Sequence, residues 1–438
     1  MLVMGGKGVG KSAFCRYMVN SLLGGAREVC YLETDLGQPE LGPPGLVSLH
    51  VVRGPVLQAA HAAQNVHGCV ASFFAGGVSP GVAPELYVRC VRAAFEAYLE
   101  LRSEDGAPPP PLVVNTHGWS QGLGLELVRA VLAIVRPQLV VRMGAELETV
   151  RQVLAYDQPA DEAPPPAKRR RTRLARCGPL AADFAAAAGR SLDARAPAVL
   201  ADVPSQASRR AGQMRGPTAP ETRWLRFALH FRPDLEPCAQ RASALARELF
   251  GPLPRGRLPL ARLRFGLLHV DLPASEIEAA FTGTVVALCN IGGAGPETPA
   301  PSATEGAEEG AARLPRLIWT RPGESRAAVA PRCVAVAYVH SFDMERGEVT
   351  FFSPASEAEL RKVDSVLRGD IIWDPHSARS VEMPQGPLGT ALVSPLTPYC
   401  CAWSVEGLAL GTRAAKGKHM VHKKLLRINS ELRRRKTA

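Results

Sequence analysis

Near the amino terminus, Gly5-Gly6-Lys7-Gly8-Val9-Gly10-Lys11-Ser12 fits the pattern G-x-x-x-x-G-K-S/T. Glycines there let successive backbone N–H groups curl around phosphate oxygens, and a helix that follows turns its positive end to the same place. Lys11 supplies a point charge for the β- and γ-phosphates, and Ser12 offers a hydroxyl to Mg²⁺. Gly5, Gly6, Lys7, Gly8, Val9, Gly10, Lys11 and Ser12 therefore form a candidate cradle for ATP and Mg²⁺. Farther on, Glu33-Thr34-Asp35 closes an apolar stretch. In phosphate-loop proteins a carboxylate at such a strand end holds the metal's water shell or takes a proton from the attacking group. Acidic residues also end strands at the surface, so it is the loop ahead that gives this carboxylate its weight.

These residues need elements to position them. The spacing of Phe14, Met18 and Leu22 predicts a helix over 12–22 with those side chains on its buried face. Apolar runs over 28–33, 112–116 and 139–142 predict strands. Residues 84–101 and 123–135 predict helices, with Pro84 suited to a first turn. Strands alternating with helices place residues 1–157 in the α/β class, a P-loop parallel sheet with helices on both faces. Only Met1 to Met4 precede the loop, although it needs a strand to feed it, so the chain reads as a fragment or shortened form lacking an N-terminal part.

After that, composition changes. Residues 158–177 carry Pro164-Pro165-Pro166 and the run Lys168-Arg169-Arg170-Arg171-Thr172-Arg173, which reads as a solvated, disordered insertion. Residues 178–257 return to the kinase-like domain through an Arg-rich segment. From 258 to 415 the pattern is strand-like: 284–291, then 334–340 and 348–352 flanking a hairpin turn at Met344-Glu345-Arg346-Gly347. A low-complexity loop spans 293–314, and a basic tail spans 416–438. The chain is thus read as a P-loop α/β domain followed by a smaller β-rich C-terminal domain.

With 52 Lys+Arg against 41 Asp+Glu, the net charge of +11 favours polyanionic partners, nucleic acid first. Ten scattered cysteines without a C-x-x-C fit reduced thiols rather than a disulfide or zinc framework. No apolar run reaches membrane-spanning length and no signal peptide is visible, so no membrane partner is expected. The Lys168–Arg173 run reads three ways: a nuclear or nucleolar address, an RNA contact, or a solubilising loop.

With the P-loop counted, four segments in order resemble one family. Glu33-Thr34-Asp35-Leu36-Gly37-Gln38-Pro39-Glu40 looks like the D-x-D-x-G-Q motif of the polynucleotide 5′-hydroxyl kinases, with Glu33 in place of the first Asp. Phe73-Phe74-Ala75-Gly76-Gly77-Val78-Ser79-Pro80 is similar to the family's aromatic-Gly-x-Ser-Pro loop. Asn115-Thr116-His117-Gly118-Trp119-Ser120-Gln121-Gly122-Leu123-Gly124 is similar to its N-T-x-G-W-x-x-G-x-G motif. Among its cleavage-factor and nucleolar branches the nucleolar one is nearer, through Tyr338–Asp343, Leu367–Asp370 and Gly417–Met420.

The resemblance implies an ATP-dependent kinase that phosphorylates the 5′-hydroxyl of RNA. It implies Asp35 as the activating carboxylate and a metal partner, and Gln38 beside it on metal-bound water or substrate. Thr116 and Trp119 would belong to a substrate clasp, the indole either stacking a terminal base or packing beneath the next helix. Arg210 and Arg215 match an R-x-x-x-x-R lid over the γ-phosphate, with Arg209 as an alternative register and a solvated basic face as the other reading. For the nucleolar branch the resemblance further implies nucleus and nucleolus, pre-ribosomal RNA cut in the second internal transcribed spacer, and a Las-type endoribonuclease partner. Two other readings remain: an ATP-binding pseudokinase scaffold for that nuclease, and a GTPase, which the lack of an N-K-x-D motif disfavours.

Overall fold

The computed structural model describes residues 1–57, 68–101, 109–144, 199–203, 219–231, 255–268, 276–292, 316–317 and 330–373. They fall in two compact units, Met1–Ala219 and Pro220–Ala438. Arg210 and Arg215, the Lys168–Arg173 run, the 293–314 loop and the 416–438 tail lie outside the described residues.

The first unit is built on seven strands: β1 (Leu2–Gly5), β2 (Val29–Glu33), β3 (Leu46–Val52), β4 (Gly68–Phe74), β5 (Leu112–Asn115), β6 (Leu139–Met143) and β7 (Val199–Val203). Their order is β4-β3-β2-β5-β1-β6-β7. Five of them, β2, β5, β1, β6 and β7, run parallel, as the alternation of strands and helices predicted. The other two extend the sheet antiparallel, β3 on β2 and β4 on β3. Strands β2 and β3 are buried along their whole length, the signature of a sheet covered on both faces.

Short as it is, β1 is gripped on both edges. Leu2 pairs with Val114 of β5 and with Val140 of β6, and the register with β6 continues to Gly5 opposite Met143. Leu2 to Met4, running into Gly5 of the loop, thus form the feeding strand.

Helix α1 (Lys11–Leu22) begins as expected but is turned about its axis relative to the expectation. The sequence periodicity put Phe14, Met18 and Leu22 on the inner face. The structure buries Lys11, Cys15 and Val19 instead, with Phe14 and Leu22 packed at the flank of the core. The cause is the loop: it aims Lys11 inward, and every fourth residue after it follows. Burying Val19 contributes roughly 1.5–3 kcal/mol. Around it the core gathers Val3, Val29, Tyr31, Val113, Val141 and Met143, alternate residues of four parallel strands.

Helix α2 (Pro84–Leu99) has Pro84 in its first turn and buries Leu86, Tyr87, Cys90, Val91 and Ala94. Helix α3 (Leu123–Val135) follows Gly122, held at φ 54°, and ends on Arg136 at φ 46°. It packs against α2.

The second unit is β-rich. Strands β9 (Arg264–Leu267), β10 (Val285–Asn290), β11 (Arg316–Leu317), β12 (Arg332–Asp343) and β14 (Ser365–Arg368) take the order β11-β9-β14-β10-β12. Strand β13 (Glu348–Phe352) pairs with β12, and β8 (Arg255–Pro259) with β13. Asp343 sits opposite Glu348 across the expected turn, closed by Gly347 at φ 66°. Phe265, Phe281, Phe342 and Phe351 anchor the core.

Helix α4 (Ala219–Phe231) lies in the Arg-rich segment assigned from sequence to the kinase-like remainder, 178–257. From Pro220 onward it belongs to the second compact unit. The physical reason is aromatic: Trp224, Phe227 and Phe231 pack on Trp373, with centroids 5.0–6.4 Å apart. His230 sits 3.1 Å from the Val336 carbonyl of β12. Two short helices, α5 (Ile277–Phe281) and α6 (Glu357–Leu360), complete the unit, the latter begun by a Ser356/Glu359 capping box. Among the described residues no helix is long and apolar enough to cross a membrane, and the six cysteines there are free thiols.

Candidate active site

The phosphate loop joins β1 to α1. Gly5, Gly8 and Gly10 hold φ of 148°, 75° and 99°, a region that glycine enters without steric cost. A Cβ on Gly5 would collide with the Met143 carbonyl of β6. Gly10 precedes α1 without a side-chain cap, and no acidic residue occupies the first turn. The helix's leading N–H groups and its positive end are therefore left for an anion.

Lys11 is 7% exposed, and its Nζ donates to the Gly6 carbonyl at 2.8 Å. Burial lowers its pKa, with Asp35 the largest opposing influence. An amine that is buried, short of partners and beside a phosphate cradle is set to turn toward a phosphate.

The two carboxylates that close β2 differ sharply. Glu33 is fully buried. Its Oε1 accepts from the Asp35 N–H (2.9 Å), its Oε2 from the Glu40 N–H (2.6 Å), and Asn115 Nδ2 donates to both oxygens at 3.0 and 3.3 Å. Asp35 is half-buried; one oxygen, Oδ1, accepts from the Gly37 and Gln38 N–H groups at 2.9 and 3.1 Å. Its Oδ2 has no hydrogen-bond partner among the described residues. Asp35 thus caps its own turn and still presents an oxygen, and the capping engages the backbone of Gln38.

Beside β2, the end of β5 runs into Thr116-His117-Gly118-Trp119. Thr116 is buried, and its hydroxyl donates to the Val3 carbonyl of β1 at 2.8 Å, tying the two strand ends together. Gly118 lies over the loop: a Cβ there would come within 2.8 Å of Lys7 Cα and 3.2 Å of Lys11 Nζ. Trp119 is 40% exposed. Its ring rests on Gly124 of α3, where any side chain would collide with it, and its far edge meets Gly81. The indole is therefore both held and presented to solvent, which joins the two alternatives read from sequence.

His117 is buried, its pKa lowered to about 4 by that burial. Its Nδ1 accepts from the Trp119 N–H at 3.3 Å, its ring meets Tyr87 edge to face at 5.9 Å, and its buried Nε2 has no hydrogen-bond partner. Tyr87 in turn donates from its hydroxyl to the Thr34 carbonyl at 3.1 Å.

Lys11, Ser12, Asp35, Gln38, Thr116 and Trp119 thus lie at or just past the carboxyl ends of three adjacent parallel strands or on the loop that leaves one of them. Sequence reasoning passed over Asn115, which touches Glu33 and Ser12 (Nδ2 to Oγ, 3.3 Å), as well as His117, Gly118 and Tyr87. The signal for Asn115 was its type: an amide ending an otherwise apolar strand directly after Val113-Val114.

A family model described as the mRNA cleavage and polyadenylation factor CLP1 P-loop matches residues 5–160. A polynucleotide 5′-hydroxyl-kinase NOL9 of Arabidopsis thaliana is 28% identical over 376 residues, 84% of each chain. A protein of the same name from Bos taurus is 26% identical over 379 residues, 85% of this chain and 49% of that one. The polynucleotide 5′-hydroxyl-kinase grc3 of Schizosaccharomyces pombe is 34% identical over 149 residues, 33% of this chain and 20% of that one. The chain thus spans most of the plant relative, about half of the bovine one and a fifth of the S. pombe one. A solved Clp1p–Pcf11p complex gives a TM-score of 0.48 at 10% identity, over 85% of this chain and 74% of that one. The CLP1 match takes in the loop, the Glu33–Asp35 strand end and the Asn115–Trp119 turn together, and the chain is similar over most of its length to proteins named polynucleotide 5′-hydroxyl-kinase.

Proposed function

We propose that the chain transfers the γ-phosphoryl group of ATP to the 5′-hydroxyl of RNA. The observation that supports this reading best is the convergence of Lys11, Asp35 and Trp119 at neighbouring strand ends, with an uncapped helix N-terminus between them. The loop and the first turn of α1 hold the phosphates, and Lys11 leaves the Gly6 carbonyl to bind them. Asp35 Oδ2 accepts the proton of the 5′-hydroxyl as the new O–P bond forms and the bond to ADP breaks. Trp119 offers its exposed indole to the terminal base. Arg210 and Arg215 close over the γ-phosphate as charge spreads over its oxygens.

Among the described residues no group of three or more His, Cys, Asp or Glu could hold a metal by itself. The site offers the hydroxyl of Ser12 directly and, through the ion's water shell, the carboxylate of Asp35. That set fits Mg²⁺ arriving on nucleotide phosphates, which takes only one or two protein oxygens. Bound there beside Ser12 and Asp35, the ion would neutralise the charge of the phosphates.

The resemblance to the nucleolar branch carries the reading further, to pre-ribosomal RNA cut in the second internal transcribed spacer, to a Las-type endoribonuclease that leaves the 5′-hydroxyl, and to the nucleolus. The deciding assay is label transfer from γ-labelled ATP to a 5′-hydroxyl RNA oligomer, against the same oligomer already 5′-phosphorylated. Label on the first alone is the expected result. Nucleotide binding without transfer to either would replace the kinase by a scaffold that binds ATP.

A further inference from the structure

One side chain connects the buried carboxylate of β2 to the phosphate loop. Asn115 ends β5, fully buried, with its amide NH₂ between three oxygens: Glu33 Oε1 at 3.0 Å, Glu33 Oε2 at 3.3 Å and Ser12 Oγ at 3.3 Å. An amide nitrogen has two hydrogens. One serves the carboxylate, and the other is left for the hydroxyl of Ser12.

The amide cannot face the other way. Its Oδ1 takes the Cys15 S–H at 3.8 Å, and turning it toward Glu33 would set acceptor against acceptor. Nor can the residue shift along the strand. Its backbone carbonyl accepts both the N–H (3.1 Å) and the hydroxyl (2.7 Å) of Thr34. Glu33 is fixed in its turn by the N–H groups of Asp35 and Glu40.

We propose that Asn115 is a positioning residue for the metal site, acting through Ser12, an inference that rests on reading the loop as an ATP site. A serine hydroxyl rotates freely, and at a helix start it tends to turn back to backbone groups. By accepting from Asn115, Ser12 Oγ has its rotation fixed. One lone pair remains for Mg²⁺, and its own hydrogen is free for a phosphate oxygen. Glu33 aligns the amide that aligns the hydroxyl. This gives the fully buried Glu33 a task distinct from that of Asp35: it holds both the 35–40 turn and the metal-facing serine.

The test separates metal binding from folding and from phosphoryl transfer. ADP affinity is measured by calorimetry with saturating Mg²⁺ and again in EDTA, for wild type, Asn115→Ala and Asn115→Leu, alongside thermal melting of the free proteins. Outer partners of metal ligands typically contribute about 10- to 100-fold to metal affinity. Asn115→Ala should therefore lose most of the Mg²⁺-dependent gain in ADP affinity while its affinity in EDTA changes little. Asn115→Leu fills the space and removes the NH₂ donor without setting an acceptor against Glu33, so it should lose the same gain and covers the case in which the cavity left by alanine prevents folding. In a Ser12→Ala background, Asn115→Ala should cost nothing further in that gain, because the amide acts through the hydroxyl. Equal loss with and without Mg²⁺ would make Asn115 a purely structural residue, and an undiminished Mg²⁺ gain would remove it from the metal site; either overturns the proposal. If wild type binds ADP with Mg²⁺ but labels no RNA, the kinase reading fails and the role of Asn115 stands.

Discussion

Gly118→Ala adds one methyl group at the point where the β5 turn lies against the phosphate loop. The new Cβ would stand 2.8 Å from Lys7 Cα, 3.0 Å from Lys7 N and 3.2 Å from Lys11 Nζ. Carbon atoms in contact sit about 3.5–4.0 Å apart, so the loop backbone must retreat by roughly 0.7 Å or more. Two of the three neighbours are backbone, so no rotamer change relieves the clash. Overpacking of this kind costs about 1–3 kcal/mol. That strain is released by lifting the loop away from Gly118, which displaces the N–H groups that hold phosphate. We expect ADP affinity to fall about 10- to 100-fold, or about 1.4–2.7 kcal/mol. Calorimetric ADP titration reads the affinity, and thermal melting reads the fold. Gly54→Ala is the control, because it lies outside the phosphate loop and its Cβ meets no described atom within 4 Å. If Gly118→Ala binds ADP within twofold of wild type, the β5 turn does not press on the loop and the argument is wrong.

Lys11→Ala should cut transfer more than tenfold, about 1.4 kcal/mol, while leaving apo melting nearly unchanged, since Lys11 donates only to Gly6 in the structure; kinase assay and melting on one sample decide it. Trp119→Ala should raise KM for RNA with little change in kcat, a base stack being worth about 1–3 kcal/mol; a lowered melting temperature with unchanged KM would make the indole a packing residue only. His117 and His230 are both held neutral by burial, each with its pKa lowered to about 4. Their folded pKa lies below the unfolded value of about 6.5, so their contribution is whole above that pH and lost as pH falls toward 4, on the order of 3 kcal/mol each. Denaturant midpoints should therefore drop between pH 7 and 4.5, and His230→Gln should flatten that slope; an unchanged slope would refute the assignment.

The phosphate loop was legible because its chemistry is local, with glycines, Lys11 and Ser12 within eight consecutive positions. Helices α2 and α3 were legible from periodicity and from Pro84. The rotation of α1 was not, because Phe14, Met18 and Leu22 form a convincing apolar stripe. The requirement that Lys11 face the site outweighs it and brings Cys15 and Val19 inward. Strand β3 escaped notice because Ser48 and His50 interrupt its apolar run; the two satisfy each other at 2.9 Å inside the sheet. Strand β4 opens on Gly68, a weak strand former. Thr116 shows the limit of reading a role from a motif: what its side chain touches is a carbonyl of β1, a partner 113 residues away that no local pattern reveals.

The same limit decides what two carboxylates in one motif can do. The resemblance implies Asp35 rather than Glu33 as the activating carboxylate, a ranking that charge alone does not explain. Hydrogen bonding does. Both Glu33 oxygens are occupied by N–H donors in a site closed to solvent, so accepting a substrate proton would require breaking the 35–40 turn. Asp35 has Oδ1 fixed and Oδ2 available, the arrangement a general base needs: a held carboxylate with one oxygen to offer. Asp35→Asn should leave RNA binding nearly normal and lower kcat at least about a hundredfold, the low end of general-base effects. Glu33→Gln removes no base, but its new NH₂ must face the Asp35 or the Glu40 N–H, donor against donor. The cost of an unsatisfied buried group, about 1–3 kcal/mol, should appear as lowered melting and weaker Mg²⁺ dependence, with kcat at saturating Mg²⁺ less affected. Raising the pH distinguishes the two, since a misplaced turn is not repaired by a more basic medium, whereas a missing base is partly replaced by hydroxide. An inactive Glu33→Gln that melts like wild type, beside an Asp35→Asn with near-normal turnover, would reverse the assignment of the two residues.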